Sequence, residues 1–228
     1  MLLLLAAFIA PTAFWIGYLY YKDRFQPEPL RVVWIAYLLG IASGWLCVGA
    51  YRLVEMMGAP QDPLLLAETD RAAFLAYCIV VVGILEEACK MLPLVLVLIH
   101  LRHFDEVLDG IVYASAIALG FATYENFFYL PLLDGFERWG RAIASPLVHT
   151  IFSSIWGYTI ASAVLSGRRV LPAAVAGLGV AALLHGAYDF FTLNPALRLG
   201  AALVILVIWA WRIRTIERLH GIRATNHP

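Results

Sequence analysis

The sequence predicts an all-α, polytopic membrane helical bundle of about seven transmembrane helices, and three observations support this fold class. First, 62% of the 228 residues are hydrophobic and 14% are charged, whereas soluble domains carry about 25% charged residues. Second, the mean hydropathy is +0.81 over the whole chain, which leaves little polar surface for water. Third, apolar stretches of about 20 residues, the length that crosses a bilayer as a helix, recur along the sequence.

These apolar stretches predict helices at 2–21, 30–54, 73–100, 107–131, 142–165, 170–192 and 196–212. Charged residues and turn formers concentrate between them. The first stretch lacks the positively charged start of a signal peptide, so we interpret it as a transmembrane helix. The longest connection, 55–71, has room for a short interfacial helix. Because no separate soluble domain is visible in the pattern, we expect residues 1–228 to form a single membrane domain.

The distribution of lysine and arginine between the loops predicts how the bundle is oriented in the membrane. One side of the predicted bundle collects ten of these residues, and the other side collects five. The ten are Lys22, Arg24, Arg31, Arg102, Arg168, Arg169, Arg212, Arg214, Arg218 and Arg223, and the five are Arg52, Arg71, Arg138, Arg141 and Arg198. Since the positive side faces the cytoplasm, we expect the N-terminus outside and the C-terminus in the cytoplasm.

Overall charge and cysteine content exclude some classes of function. The chain has 16 basic and 16 acidic residues, so nothing indicates nucleic acid as a partner. The lipid bilayer is the expected surrounding. Cys47, Cys78 and Cys89 lie in apolar runs without a CxxC pair, and we interpret them as small buried hydrophobic residues.

The most informative feature is a set of ionisable and polar residues within the predicted spans. An ionisable residue at the centre of a membrane helix costs about 2.5–3.5 kcal/mol on insertion scales. Several such costs in one small protein require an offsetting use. Buried ion pairs that hold helices together and a path for protons or ions are the alternatives to an active site. The set comprises Glu86, Glu87, Lys90, Asp109, Glu125, Asn126, His149, His185 and Asp189.

The third predicted helix carries two adjacent glutamates and a lysine. Lys90 follows Glu86 by four residues and Glu87 by three, so on a helix it can pair with either carboxylate. The two glutamates point about 100° apart and therefore meet different neighbours. One of them can act as a general base while the other pairs with Lys90. A purely structural salt bridge is the alternative interpretation.

The next three helices each contribute polar residues. Glu125 and Asn126 lie in the outer half of the fourth helix, as a site or as a hydrogen-bonded contact between helices. His149 in the fifth helix is a candidate ligand or a packing residue. His185 and Asp189 in the sixth helix are one turn apart on the same face. That spacing fits two ligands of one metal, and equally an aspartate that orients a histidine.

Together these motifs resemble the PrsW family of intramembrane proteases, within the wider group of CAAX proteases and bacteriocin-processing proteins. EEACK (Glu86 to Lys90) matches the family's EExxK, and FATYEN (Phe121 to Asn126) matches its FxxxEN. PLVH (Pro146 to His149) and HGAYD (His185 to Asp189) match its two histidine motifs. The segments YYKDRFQPEP and DEVLDGIVYASAIALGF are also similar to the family, and the resemblance covers residues 20 to 192.

The resemblance implies a membrane-embedded peptidase of a bacterial cell membrane, with its catalytic motifs within 83–192. Its substrate would be a single-pass or membrane-associated protein, such as an anti-sigma factor, cut in or near its membrane segment. Relatives that cleave prenylated proteins carry a histidine at the position of Glu125, so that activity is not expected here. A non-catalytic scaffold or binding protein and a proton-coupled transporter are the alternatives. The intact motifs disfavour the first, and the lack of inverted repeats disfavours the second.

The resemblance also implies a mechanism, in which Glu86 activates a water molecule as general base. Glu87 pairs with Lys90 or shares the role of base. Glu125 is a further ligand or an orienting group, and Asn126 donates to the tetrahedral intermediate. The three remaining residues, His149, His185 and Asp189, hold a zinc ion or, in a metal-free mechanism, bind the water and the oxyanion.

Overall fold

The computed structural model describes residues 2–60 and 63–226, and these residues form helices and turns without a β-strand. The α-helices are α1 (Leu2–Lys22), α2 (Leu30–Met56), α3 (Pro63–Thr69), α4 (Arg71–Ala76), α5 (Ile84–Leu96), α6 (Val107–Tyr129), α7 (Gly135–Leu165), α8 (Val170–Leu193) and α9 (Arg198–Asn226). A π-helical segment, Tyr77–Gly83, joins α4 to α5. Short 3₁₀ turns follow α5, α6 and α8.

Seven of the spans in the described ranges are long and apolar enough to cross a membrane, with α4, the π-helical segment and α5 forming one of them, Arg71–His100. The predicted fold class is therefore confirmed. The predicted single domain also includes residues 1, 61, 62, 227 and 228, which lie outside the described residues. The 55–71 connection contains α3, the short helix for which the sequence had room.

Three helix boundaries differ from the prediction. The third span is not one continuous α-helix, because the π-helical segment interrupts it. Helix α7 begins at Gly135 instead of residue 142, and α9 continues beyond residue 212. In both cases polar and charged residues are interspersed in the additional helical segment, so a hydropathy pattern ends before the helix does. Pro93 lies within α5, which continues to Leu96.

Helix α6 is the central element of the bundle. In its most apolar window 89% of the residues are buried, compared with 22–44% in α1, α2, α8 and α9. It packs closely against α7 where two glycines face each other. A Cβ added to Gly157 would lie 2.3 Å from the carbonyl oxygen of Gly110, so only glycine allows this backbone contact.

The π-helical segment and α8 are also in backbone contact. A Cβ added to Gly83 would lie 2.3 Å from the carbonyl oxygen of Ala182, and one added to Gly186 would lie 2.4 Å from that of Cys78. The wide π turn changes the helical phase between α4 and α5. Together these features place the start of α5 directly beside His185.

Arg212 is buried within α9 and is not a loop residue, contrary to its assignment in the charge count. It is 1% exposed. Its guanidinium donates to the carbonyl of Thr150 at 2.9 Å and to the hydroxyls of Ser154 and Ser115 at 2.5 and 3.0 Å. Arg141 likewise lies within α7, so without these two residues the count is nine against four and keeps its direction. Arg212 therefore ties α9 to α6 and α7 without a carboxylate partner among the described residues.

The loop between α1 and α2 packs against the N-terminal part of α6 through buried acidic groups. Glu28 accepts a short hydrogen bond from the hydroxyl of Tyr113, and its backbone N–H donates to Asp23 at 2.7 Å. Burial, together with the carboxylates of Asp109 and Asp23, raises the pKa of Glu28 to about 8. These contacts connect YYKDRFQPEP with DEVLDGIVYASAIALGF, the two segments that resemble the family in addition to the four motifs.

Candidate active site

Five residues from the predicted polar set line one cavity of about 1020 Å³. Glu86 comes from α5, Glu125 from α6, His149 from α7, and His185 and Asp189 from α8. The cavity lies in the half of the bundle that holds the C-terminal ends of α6 and α8 and the N-terminal end of α7. Four helices therefore bring carboxylates and imidazoles to a common space.

Glu87 is fully buried and accepts four hydrogen bonds. Its Oε1 accepts from Lys90 Nζ and His185 Nδ1, both at 2.9 Å. Its Oε2 accepts from Ser153 Oγ and Trp156 Nε1, also both at 2.9 Å. Because a carboxylate has about four lone-pair positions, Glu87 has no acceptor position left for a water molecule. Its geometry is that of a group that orients its neighbours.

Lys90 is a fully buried cation whose three donors are all matched. Its Nζ lies 2.9 Å from Glu87 Oε1, 3.3 Å from Glu86 Oε2 and 2.8 Å from His149 Nδ1. It also lies 4.3 Å from the centroid of the Phe121 ring, a cation–π contact. An ammonium has three N–H groups, so Lys90 is held by both glutamates at once, as the sequence spacing allows.

The contacts of His149 determine where its proton lies. Lys90 donates to Nδ1, so the neutral imidazole carries its hydrogen on Nε2. That nitrogen donates to Glu125 Oε2 at 2.8 Å. Both ring nitrogens of His149 are therefore engaged by protein groups.

His185 has one engaged nitrogen and one open nitrogen. Its Nδ1 donates to Glu87, so in the neutral imidazole Nε2 carries a lone pair. The Nε2 atom lies 3.7 Å from Glu86 Oε2 and 3.6 Å from Asp189 Oδ2. These two separations exceed a hydrogen bond and leave space for a bound group between the three side chains.

Glu86 is held less tightly than Glu87. It is 6% exposed and lines the cavity. Its Oε1 accepts from the hydroxyl of Tyr51 at 3.1 Å, and its Oε2 accepts from Lys90 at 3.3 Å. Each oxygen therefore retains a lone pair, and the carboxylate can accept a proton from a water molecule in the cavity.

Asn126 does not join the other residues at the cavity. It is buried, and its side-chain Oδ1 has no hydrogen-bond partner among the described residues. The described residues that line the cavity include its neighbour Glu125 but not Asn126.

Four residues at the site were not singled out from the sequence. Ser153 and Trp156 follow His149 by four and seven residues, so they share one face of α7, and that spacing was an available signal. Tyr51 carries no such signal, because its contact with the site depends on how α2 packs. Arg141 was assigned to a loop, but it lies in α7 and lines the cavity.

The donor set fits a divalent metal ion such as zinc. Glu86, His149 and His185 offer ligand atoms that lie within 4.8 Å of one another, and catalytic zinc sites commonly use three such protein ligands. The hydrogen bond from His185 to Glu87 is the carboxylate support that metal-binding histidines use. For His149 to bind an ion, its imidazole must exchange one of its two hydrogen bonds. These three clustered residues differ from the predicted ligands, because Glu86 takes the place of Asp189.

Comparisons with known proteins identify the family of the chain. A family model described as PrsW family intramembrane metalloprotease matches residues 28–212. The Protease PrsW of Geobacillus kaustophilus is 30% identical over 96% of this chain and 92% of its own length. The Protease PrsW of Bacillus subtilis is 31% identical over 83% of both chains, and that of Clostridioides difficile is 32% identical over 88% of this chain and 82% of its own length. None of the solved structures matches the chain.

Proposed function

Because the chain belongs to the PrsW family of intramembrane metalloproteases, we propose that it hydrolyses a peptide bond in or near the membrane segment of a single-pass or membrane-associated protein, with Glu86 as the general base. Membership of this family makes the chain a multi-pass membrane peptidase of bacteria. Neither a scaffold nor a transporter has an observation in its favour.

The single observation that carries the assignment of the base is the different hydrogen bonding of the two glutamates. Glu87 accepts four hydrogen bonds away from the cavity, whereas Glu86 lines the cavity with acceptor positions left. A general base must lie within hydrogen-bond reach of the proton that it removes. Glu86 therefore takes the proton from water, while Glu87 orients His185 and compensates the charge of Lys90.

The remaining polar residues have proposed supporting functions. His149, His185 and Asp189 are the proposed ligands of a zinc ion, and Glu86 remains free to act as the base. When bound, zinc polarises the peptide carbonyl and activates water. In a metal-free mechanism these residues bind the water and the developing oxyanion. Glu125 orients His149 through the bond to its Nε2.

Two expectations from the sequence stay proposals. Donation by Asn126 to the tetrahedral intermediate remains a prediction. The position of its buried amide away from the cavity does not support it. The predicted orientation, with the N-terminus outside, places the C-terminal ends of α6 and α8 at the outer surface. The cavity would then receive the substrate from that half of the membrane.

The test is purification in detergent with metal analysis beside a cleavage assay on a single-pass protein. Glu86→Gln keeps the size of the side chain but cannot take a proton, so we expect the rate to fall by about 10²–10⁴. Activity that is lost with a chelator and restored by zinc supports the metal mechanism, and activity unaffected by the chelator supports the metal-free one. Cleavage by Glu86→Gln at the wild-type rate would remove Glu86 from catalysis.

A further inference from the structure

The face of α7 that leads from its N-terminal end to His149 carries small side chains. Gly140, Ala144 and Ser145 line the cavity along this path, and Arg141 lies among them. Small side chains leave this path along the helix open to the cavity. The path connects the outer end of the cavity to the carboxylates and imidazoles.

Two polar atoms on this face have no hydrogen-bond partner among the described residues. Ser145 is 7% exposed, and its Oγ is unpaired. The Nε of Arg141, one turn earlier, is also unpaired. Other hydroxyls of α7 bond to carbonyls one turn back, as Thr150 and Ser154 do. Buried polar atoms without partners are unfavourable, and a peptide along this path would supply the missing groups.

Arg141 also introduces the opposite charge into an acidic cavity. Its guanidinium lies 4.0 Å over the ring of Tyr129, and its Nη2 is 3.8 Å from Glu125 Oε2, longer than a hydrogen bond. Among the described residues that line the cavity, it is the only lysine or arginine, against Glu86, Glu125 and Asp189. An acidic side chain would therefore be attracted at Arg141 and repelled deeper in the cavity.

We propose that Arg141 and Ser145 form a peptide-binding strip on α7 that selects substrates with an acidic residue on the outer side of the scissile bond. Ser145 Oγ bonds to the peptide main chain, and Arg141 binds the acidic side chain through charge-assisted hydrogen bonds. This inference rests on the proposed peptidase function, because it assigns the cavity to a peptide.

The contacts around Glu125 of α6 also limit the register of that peptide. Arg141 Nη2 is 3.8 Å from Glu125 Oε2, which is 2.8 Å from His149 Nε2. The sum of these two distances is the largest possible separation of Arg141 Nη2 from His149 Nε2. Because an extended peptide advances about 3.3–3.6 Å per residue, the acidic residue lies within about two residues of the part of the peptide that contacts His149.

A binding experiment tests the strip separately from catalysis. In the Glu86→Gln background, fluorescence anisotropy would compare two dye-labelled peptides rich in Ala, Leu and Ser that differ only by Glu or Gln at one scanned position. We expect the Glu peptide to bind about tenfold more tightly at one position. Arg141→Gln should remove this preference, and Arg141→Glu should transfer it to a Lys peptide. Ser145→Ala should lower the affinity for both peptides by the same factor, about fivefold.

Arg138→Gln is the matched control. Arg138 lies one turn before Arg141 on α7, donates to the Leu130 carbonyl and to Asp134, and is not among the described residues that line the cavity. This variant should keep the tenfold preference. The proposed peptide-binding strip would be wrong if no peptide binds, or if no position shows a preference for Glu. It would also be wrong if Arg141→Gln lowers the affinity for both peptides equally. Failure of the proposed peptidase function would appear differently, as no cleavage by the wild type while the binding preference persists.

Discussion

Replacing Glu87 by glutamine should unfold or strongly destabilise the protein, whereas the same change at Glu86 should leave it folded and inactive. The two side chains are adjacent in sequence and chemically identical, so the contrast tests the structure directly. Glu87→Gln turns one carboxylate oxygen into an NH₂ group. Whichever way the amide turns, one group that can only donate, Lys90 Nζ or Trp156 Nε1, then faces another donor.

The magnitude follows from those contacts. Each buried donor left without an acceptor costs about 1–3 kcal/mol. The substitution also removes the negative charge that lies closest to the buried ammonium of Lys90. Breaking a buried ion pair of this kind costs about 3–5 kcal/mol, which we take as the expected loss for Glu87→Gln. Glu86→Gln should lower the free energy of unfolding by about 1 kcal/mol, because Glu86 accepts hydrogen bonds from fewer donors and water in the cavity can replace them.

The assay is thermal unfolding in detergent, followed by tryptophan fluorescence and size-exclusion chromatography, beside the cleavage rate of each variant. Glu86→Gln should unfold within a few degrees of the wild type and lack activity. Glu87→Gln should unfold well below both. If Glu87→Gln has the unfolding temperature of the wild type, the four-donor arrangement is wrong. If it alone loses activity while stable, Glu87 is the base and our assignment of the two glutamates is reversed.

Two further predictions concern the scaffold. Gly157→Ala should destabilise the bundle by about 1–3 kcal/mol, because the new Cβ would lie 2.3 Å from the Gly110 carbonyl, whereas Gly179→Ala has open space around it and should be tolerated in the same unfolding assay. The raised pKa of Glu28, about 8 against 4.5, means that the folded state keeps a proton that the unfolded state releases, so stability should be greatest below about pH 4.5, fall as the pH rises to about 8 and then level off. Glu28→Gln should flatten this profile between those pH values, and a wild-type profile that is already flat would contradict the raised pKa of Glu28.

Features that depend on local sequence were predictable without the structure. The number and order of the spans follow from hydropathy, because a backbone in hydrocarbon must satisfy its hydrogen bonds within a helix. Helical spacing predicts that Lys90 can reach either glutamate, and it predicts the common face of His185 and Asp189; that Lys90 pairs with both glutamates at once is seen only in the structure. The cost of placing these groups in a membrane was enough to indicate a functional cavity.

Only the tertiary structure separated the functions proposed for the two glutamates. The donors that hold Glu87 come from α5, α7 and α8, and their convergence depends on glycine contacts and on a π-helical segment that no hydropathy pattern shows. The same holds for Arg141 and Arg212, which the sequence placed in loops. Helical periodicity states which residues of one helix share a face, but the neighbour that this face meets is determined by the packing of all the helices together.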